Sequence, residues 1–207
     1  MKDIYLYEDC PVLINKLGIK KQEELDDAEA DYVTYRLKNL AMHPLKGKYD
    51  YDHFMRMHHY IFQDLYEWAG QQRKLNIYKE EPVLGGLSVD YSDVFDIKND
   101  ASLALNEMVT TKWHDLNDSQ KAKQFSKSLA MLWKVHCFRE GNTRTAITFC
   151  CQYADEKGFS INRKLFEQNS QYVRTALVAY NAVFEDLGDL SKKEYLEQIV
   201  FDAITKD

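Results

Sequence analysis

The chain has 207 residues, enough to bury a sizeable core, and is read as one domain spanning 1–207. Apolar residues make up 45% and aromatics 13%, which excludes a disordered chain, and eight Gly with only three Pro favour helix. A net charge of −6 argues against a dedicated nucleic-acid surface, so no nucleic-acid partner is expected.

In chain order, Met1-Lys2-Asp3-Ile4-Tyr5 lacks the apolar stretch and cleavage site of a secretory leader, and no membrane-length apolar run follows. A cytoplasmic protein without a membrane partner is expected, with export as an effector left open. Pro11 and Gly18 interrupt residues 1–20. Gln22 to Leu40 reads as a helix carrying Leu25, Ala28, Tyr32, Tyr35 and Leu40 near helical spacing, with acids early and Arg36 and Lys38 late. Asp50 or Asp52 then caps a helix to about Tyr66 with Phe54, Met57, Ile61, Phe62 and Leu65 inward. His58 and His59 are adjacent and cannot face one point on a helix, so they read as core or surface residues rather than metal ligands. From Arg73 to Ser92 the helical period fails. Leu75 and Ile77 form a strand-like run, Glu80-Glu81-Pro82 turns, and Val83 to Val89 returns, which predicts a β-hairpin flap over 73–92.

Residues 94–112 read as an amphipathic helix carrying Phe95, Ile97, Ala101, Leu105 and Met108. Asp118-Ser119 can cap another, whose Ala122, Phe125, Leu129 and Leu132 lead to His136. A further helix starts near Asn142, with Ala146, Phe149, Cys150 and Tyr153 as its stripe, and Gly158 stops it. Asn162 or Arg163 opens the next stretch. Tyr172 to Leu187 carries Val173, Leu177, Tyr180 and Phe184, and Ser191 with Glu194 makes a capping box for a last helix with Tyr195, Leu196, Ile199 and Val200. The fold class expected is all-α, mainly helical, with one small β-hairpin. Cys10, Cys137, Cys150 and Cys151 contain no C-x-x-C pair and read as free thiols.

The chemistry concentrates between the two central helices, in His136-Cys137-Phe138-Arg139-Glu140-Gly141-Asn142-Thr143-Arg144-Thr145. A tight turn opening a helix aims unpaired backbone N–H groups at one spot and adds the positive end of the helix dipole, which makes an anion cradle. Gly141 permits close approach, Asn142 adds a side-chain amide, the Thr143 hydroxyl can donate to an oxygen, and Arg144 supplies a charged fork. A phosphate chain is the favoured anion. Glu140 beside such a cradle needs a cation between, and Mg²⁺ held by one carboxylate plus substrate phosphates is the usual arrangement. His136, across the turn, can take a proton from an attacking hydroxyl.

This run resembles the signature of Fic-domain proteins, His-Pro-Phe-x-(Asp/Glu)-Gly-Asn-Gly-Arg-x-x-Arg, with His136, Phe138, Glu140, Gly141, Asn142 and Arg144 in matching positions. Cys137 stands for the Pro, Thr143 for the second Gly and Ile147 for the final Arg. Asn15-Lys16-Leu17-Gly18-Ile19, Tyr66-Glu67-Trp68-Ala69-Gly70-Gln71 and Arg73 also look like that family. The resemblance implies an all-α core with a β-hairpin flap, and transfer of AMP from ATP to a Tyr, Thr or Ser hydroxyl of a target protein. It implies His136 as general base, Glu140 as Mg²⁺ ligand, Gly141, Asn142 and Arg144 on the phosphates, and Phe138 as buried anchor of the loop, positions 136–147. The flap edge at Leu75 and Ile77 would pair with the target segment, and Lys79 would reach the nucleotide.

In the family the final Arg is associated with a regulatory glutamate in a (Ser/Thr)-x-x-x-Glu-(Gly/Asn) helix. This chain has Ile147 instead, and no Ser or Thr is followed four residues later by Glu. An enzyme without built-in glutamate inhibition is therefore expected, either a toxin held by a small antitoxin-like partner or a regulator of another protein. Apolar flap and helix faces are compatible with a homo-oligomer. Two alternatives stay open: another nucleotide donor or phosphate transfer, and a nucleotide- or peptide-binding module with negligible turnover.

Overall fold

A computed structural model of the chain describes residues 3–206; the parts of the N-terminal and whole-chain readings that fall on Met1, Lys2 and Asp207 lie outside it. The elements are α1 (Gln22–Met42), α2 (Tyr51–Phe62), α3 (Ile97–Thr110), α4 (Asp118–Val135), α5 (Asn142–Glu156), α6 (Arg163–Gln168), α7 (Ser170–Tyr180), β1 (Val183–Phe184), β2 (Gly188–Asp189) and α8 (Lys193–Thr205). The fold is mainly helical, as its periodicity and low Gly and Pro content imply.

Helix α4 is the centre of the packing and touches α3, α5, α7 and α8. Its cap is Asn117, one residue before the expected Asp118-Ser119: the Asn117 side chain accepts from the Gln120 amide and Gln120 returns a bond to the Asn117 amide. Phe125, Leu129, Leu132 and Trp133 fill one side of the core, with Phe149 and Tyr153 from α5 and Phe54, Met57 and Ile61 from α2. Three of the four cysteines, Cys137, Cys150 and Cys151, are free thiols buried there.

The strand pair lies elsewhere than expected. Among the described residues the only ladder is β1 with β2, antiparallel, with β1 in the stretch read as the end of a helix and β2 just after it. Helix α7 stops at Tyr180 because the Asn181 amide donates to Leu177 O and Ala130 O, and Gly188, at φ 78°, turns the chain back. The capping box expected at Ser191 does not form; α8 starts at Lys193 with no side-chain cap. Tyr195 is exposed while Leu196, Ile199 and Val200 are buried.

Residues 73–92 form no β-ladder. Their two arms are closed by one short 3₁₀ turn, Pro82–Leu84, by Glu81 N to Leu87 O at 3.1 Å, and by Gly86 N to Glu81 O at 3.1 Å. Glu81 is buried and pairs through both oxygens with the Arg174 guanidinium of α7, at 2.7 and 2.8 Å, which docks the turn on that helix.

Candidate active site

The loop 136–141 connects α4 to α5, and its shape follows from four anchors. Helix α4 ends at His136, whose φ of 52° lies in the left-handed region. Gly141 opens α5 at φ 82° and faces the Phe62 ring, where an added Cβ would stand 2.3 Å from ring carbons. Both the conformation and the space therefore require glycine. Asn142 closes the loop: its side-chain oxygen accepts from Phe138 N at 2.9 Å and its amide donates to Phe138 O at 2.8 Å. These two bonds use the side-chain oxygen and one of the two amide N–H donors of Asn142, so the side chain holds the loop and keeps one N–H. Phe138 is fully buried and stacks on His58, with ring centroids 3.7 Å apart.

Two supporting residues escaped the sequence reading. His58 is buried on α2, accepts at Nδ1 from Gly70 N at 2.8 Å, and so carries its proton on Nε2, which donates to Glu140 O at 3.0 Å. The signal was present, because His58 lies four residues from both Phe54 and Phe62 and therefore on the inward face. Arg73 is fully buried with no carboxylate partner among the described residues. Its guanidinium donates to His136 O at 2.8 Å, Leu75 O at 2.8 Å, Asn76 Oδ1 at 3.2 Å and Ser92 O, and its amide donates to Cys137 O at 2.8 Å. One side chain thus ties both arms of the 73–92 segment to the 136–141 loop.

The His136 imidazole is 3% exposed and neither ring nitrogen has a hydrogen-bond partner among the described residues. It lies under Tyr91, at 4.0 Å between ring centroids, and edge-on to Trp133. Burial, reinforced by Lys79 and Arg73, holds its pKa well below the ordinary 6.5, so the ring is neutral. Burial pushes the Glu140 carboxyl up, but Lys79, the Gly141 N–H, Arg144 and Arg139 outweigh it and leave the pKa lowered. Glu140 accepts from Gly141 N at 3.0 Å, with Lys79 Nζ at 3.6 Å and Arg144 Nη2 at 3.8 Å.

Lys79 therefore reaches the loop through Glu140. The Thr143 hydroxyl accepts from Trp133 Nε1 at 2.8 Å, which leaves its own proton free to donate. Arg144 is held by a carboxylate that no motif announced: Glu29 of α1, at 2.6 Å, whose other oxygen accepts from Tyr66 at 2.5 Å. Thr143, Arg144 and Ile147 line a mainly apolar cavity of about 520 Å³ with Leu37, Ala41 and Phe166. Leu75, Ile77 and Lys79 line another, about 650 Å³, on the side of Arg139. Residues of the loop and the start of α5 thus line two separate cavities.

Comparison with known proteins gives a consistent picture. Residues 48–154, more than half of the chain, match the model of the Fic/DOC family. A Bartonella schoenbuchensis protein named protein adenylyltransferase VbhT is 31% identical over 179 residues, 86% of this chain and 36% of that protein. The Sinorhizobium fredii protein named probable protein adenylyltransferase y4lH is 29% identical over 169 residues, 81% of this chain and 83% of that one. Among solved structures, the N-terminal FIC domain of the Bep8 effector from Bartonella sp. 1-1C superposes with a TM-score of 0.81 at 18% identity, over 98% of this chain and 94% of that one. BepC from Bartonella tribocorum, solved with bound AMPPNP, gives 0.74 at 20% identity, over 96% and 95%. At these identities the solved structures bear on the fold alone.

Proposed function

Because this chain belongs to the Fic/DOC family, we propose that it transfers AMP from ATP to a Tyr, Thr or Ser hydroxyl of a target protein, releasing pyrophosphate. We read residues 1–207 as one such domain, with 73–92 as its flap and 136–147 as its catalytic segment. The observation that carries the reading is His136: a neutral imidazole with both nitrogens unpaired, in a loop whose neighbouring polar side chains are bonded. An unpaired buried polar group costs free energy, and a base awaiting a hydroxyl explains it.

In the proposed reaction the target hydroxyl gives its proton to His136 as its oxygen bonds to the α-phosphorus, and the bond from that phosphorus to pyrophosphate breaks in line. Backbone N–H groups of Asn142 and Thr143, the Thr143 hydroxyl and the Arg144 guanidinium face the phosphate oxygens, and fixed donors of this kind stabilise the developing charge. Tyr91 covers His136 in this structure, so a target hydroxyl reaches the ring only with Tyr91 displaced. No group of three or more His, Cys, Asp or Glu that could hold a metal occurs among the described residues. The lone carboxylate of Glu140 at the cradle fits Mg²⁺, which takes one or two carboxylates together with substrate phosphates. Bound by Glu140, Mg²⁺ would neutralise phosphate charge.

Ile147 favours a second reading, another nucleotide or phosphate transfer, because it packs in the apolar cavity where the family signature has a cation. A small antitoxin-like protein seated between α1 and α5 would stand beside Arg144 and restrain the site there. No helix among the described residues is long and apolar enough to cross a membrane. The proposal is tested with ATP labelled at the α or γ position, Mg²⁺ and a cell extract. Protein-bound α label, reduced about 10²–10⁴-fold in His136→Ala, is expected; retained γ label moves the assignment to phosphate transfer.

A further inference from the structure

Trp133, in the last turn of α4 and 1% exposed, touches the site in three ways. Its backbone oxygen accepts from His136 N at 3.1 Å. Its ring meets the His136 imidazole edge-on, at 5.6 Å between centroids and 89° between planes. Its indole Nε1 donates to the Thr143 hydroxyl oxygen at 2.8 Å. Tyr91, which lies over His136, also meets the Trp133 ring edge-on, at 5.8 Å.

The indole bond decides what the Thr143 hydroxyl can do. A hydroxyl carries one proton and two lone pairs, and here the indole N–H takes a lone pair and holds the rotor. The proton has no acceptor among the described residues. A threonine inside a helix commonly donates to the carbonyl four residues back, as Thr145 does to Gly141 O at 2.8 Å. Thr143 is the second residue of α5, so the equivalent carbonyl, that of Arg139, lies outside the helix and no such bond forms. Its half-buried hydroxyl therefore keeps a proton to give, directed away from Trp133. The match runs the other way as well. A buried indole N–H needs an acceptor, and Gly, which the family signature has in place of Thr143, offers no side chain to supply one.

We propose that Trp133 is a positioning residue of the site. Through Nε1 it makes the Thr143 hydroxyl a one-way donor to an unprotonated phosphate oxygen of the nucleotide, and through its ring and carbonyl it holds His136 at a fixed place relative to that donor. A donor fixed before charge develops needs no reorganisation during the reaction. The inference rests on the nucleotide-binding part of the function proposed above.

The test uses the full chain and compares Trp133→Phe, which keeps an aromatic ring and removes the N–H, in the parent chain and in Thr143→Val. Titration calorimetry with ATP and Mg²⁺ should show Trp133→Phe raising the Kd about three- to tenfold in the parent and by less than about 1.5-fold in Thr143→Val, because the packing lost with the indole is common to both and cancels. Thr143→Ser, which keeps the hydroxyl, should keep the sensitivity to Trp133→Phe. In ¹⁵N-labelled protein, the indole signal missing from Trp133→Phe should shift in Thr143→Val and on adding ATP with Mg²⁺, as the hydroxyl gains an acceptor. An equal loss of affinity in both backgrounds assigns Trp133 to packing alone and overturns the proposal, as does an indole signal that ATP leaves unmoved or the absence of measurable ATP binding. Coupled ATP binding without protein-bound α label in the labelled-ATP assay removes the adenylylation reading and leaves Trp133 as a positioning residue; AMP transfer with uncoupled binding does the reverse.

Discussion

His136 holds a left-handed backbone conformation, which a non-glycine residue keeps only when its surroundings over-determine it, at about 1–2 kcal/mol. Here Arg73 bonds the His136 carbonyl from one side and Trp133 O accepts the His136 amide from the other, so the strained residue is pinned at both ends. The same burial that excludes water keeps the imidazole neutral. Because its pKa is lowered, the base form persists as pH falls past 6.5, and the acidic limb of kcat/KM for AMP transfer should lie clearly below that pH. A limb at or above pH 6.5 would show that His136 is not the titrating base. At Gly141, Ala would face both positive φ and the Phe62 ring, so Gly141→Ala should lose roughly 2–4 kcal/mol in urea unfolding and most ATP affinity. If Arg144 holds phosphate as proposed, Glu29 competes with that phosphate. We expect Glu29→Gln, which keeps a hydrogen-bonding side chain and removes the charge, to lower the ATP Kd about two- to fivefold by titration calorimetry. An unchanged or higher Kd would mean that Glu29 orients Arg144 rather than restrains it.

The 73–92 segment shows why an element can be located from sequence and still be misdrawn. The loss of helical period, the strand-like run at Leu75 and Ile77 and the Glu80-Glu81-Pro82 turn locate a flap there. The absence of a ladder follows from Arg73, which takes Leu75 O and Ser92 O, one acceptor from each arm, and bridges them through a side chain. No periodicity reports such a bridge. A single point charge cannot match four acceptors held by a planar fork, so Arg73→Lys should free the arms. Limited chymotryptic cleavage after Tyr78 should rise severalfold, with AMP transfer reduced and the Tm only moderately lower. Unaltered cleavage would remove Arg73 as the tie. The two central helices were legible because Phe125, Leu129, Ala146 and Phe149 recur at strict spacing. The end of α7 was not, since Phe184 continues the apolar stripe and only the bonds of Asn181 stop the helix.

Across the molecule, the site residues in one short run were readable from side-chain chemistry, whereas the residues that hold that run come from far away in sequence: Glu29, His58 and Arg73. The inward position of His58 was legible from its spacing, but the bonds that all three make depend on packing that local patterns do not encode. His58 also couples the loop to global stability. Burial lowers its pKa to about 3, so its contribution is complete above the ordinary 6.5 and is lost as pH falls between those values, at about 1.4 kcal/mol per pH unit. Acid unfolding followed by circular dichroism should be steep in that window. His58→Gln, which cannot titrate, should flatten the slope even though it lowers stability at neutral pH; an unchanged slope would exclude His58 as a main contributor. The placement of the 136–141 loop between two helices at the middle of the core has a further consequence, in hydrogen exchange. Amides of Leu129–Val135 and Ala146–Cys151 should open only when the whole core opens, whereas those of Asn76–Tyr78 should exchange without it. The 136–141 loop is therefore held between two of the slowest-exchanging segments, while the 76–78 edge belongs to the fastest. Substitutions in the edge should leave the global unfolding equilibrium unaltered, while a core substitution puts the 136–141 loop and the fold at risk together.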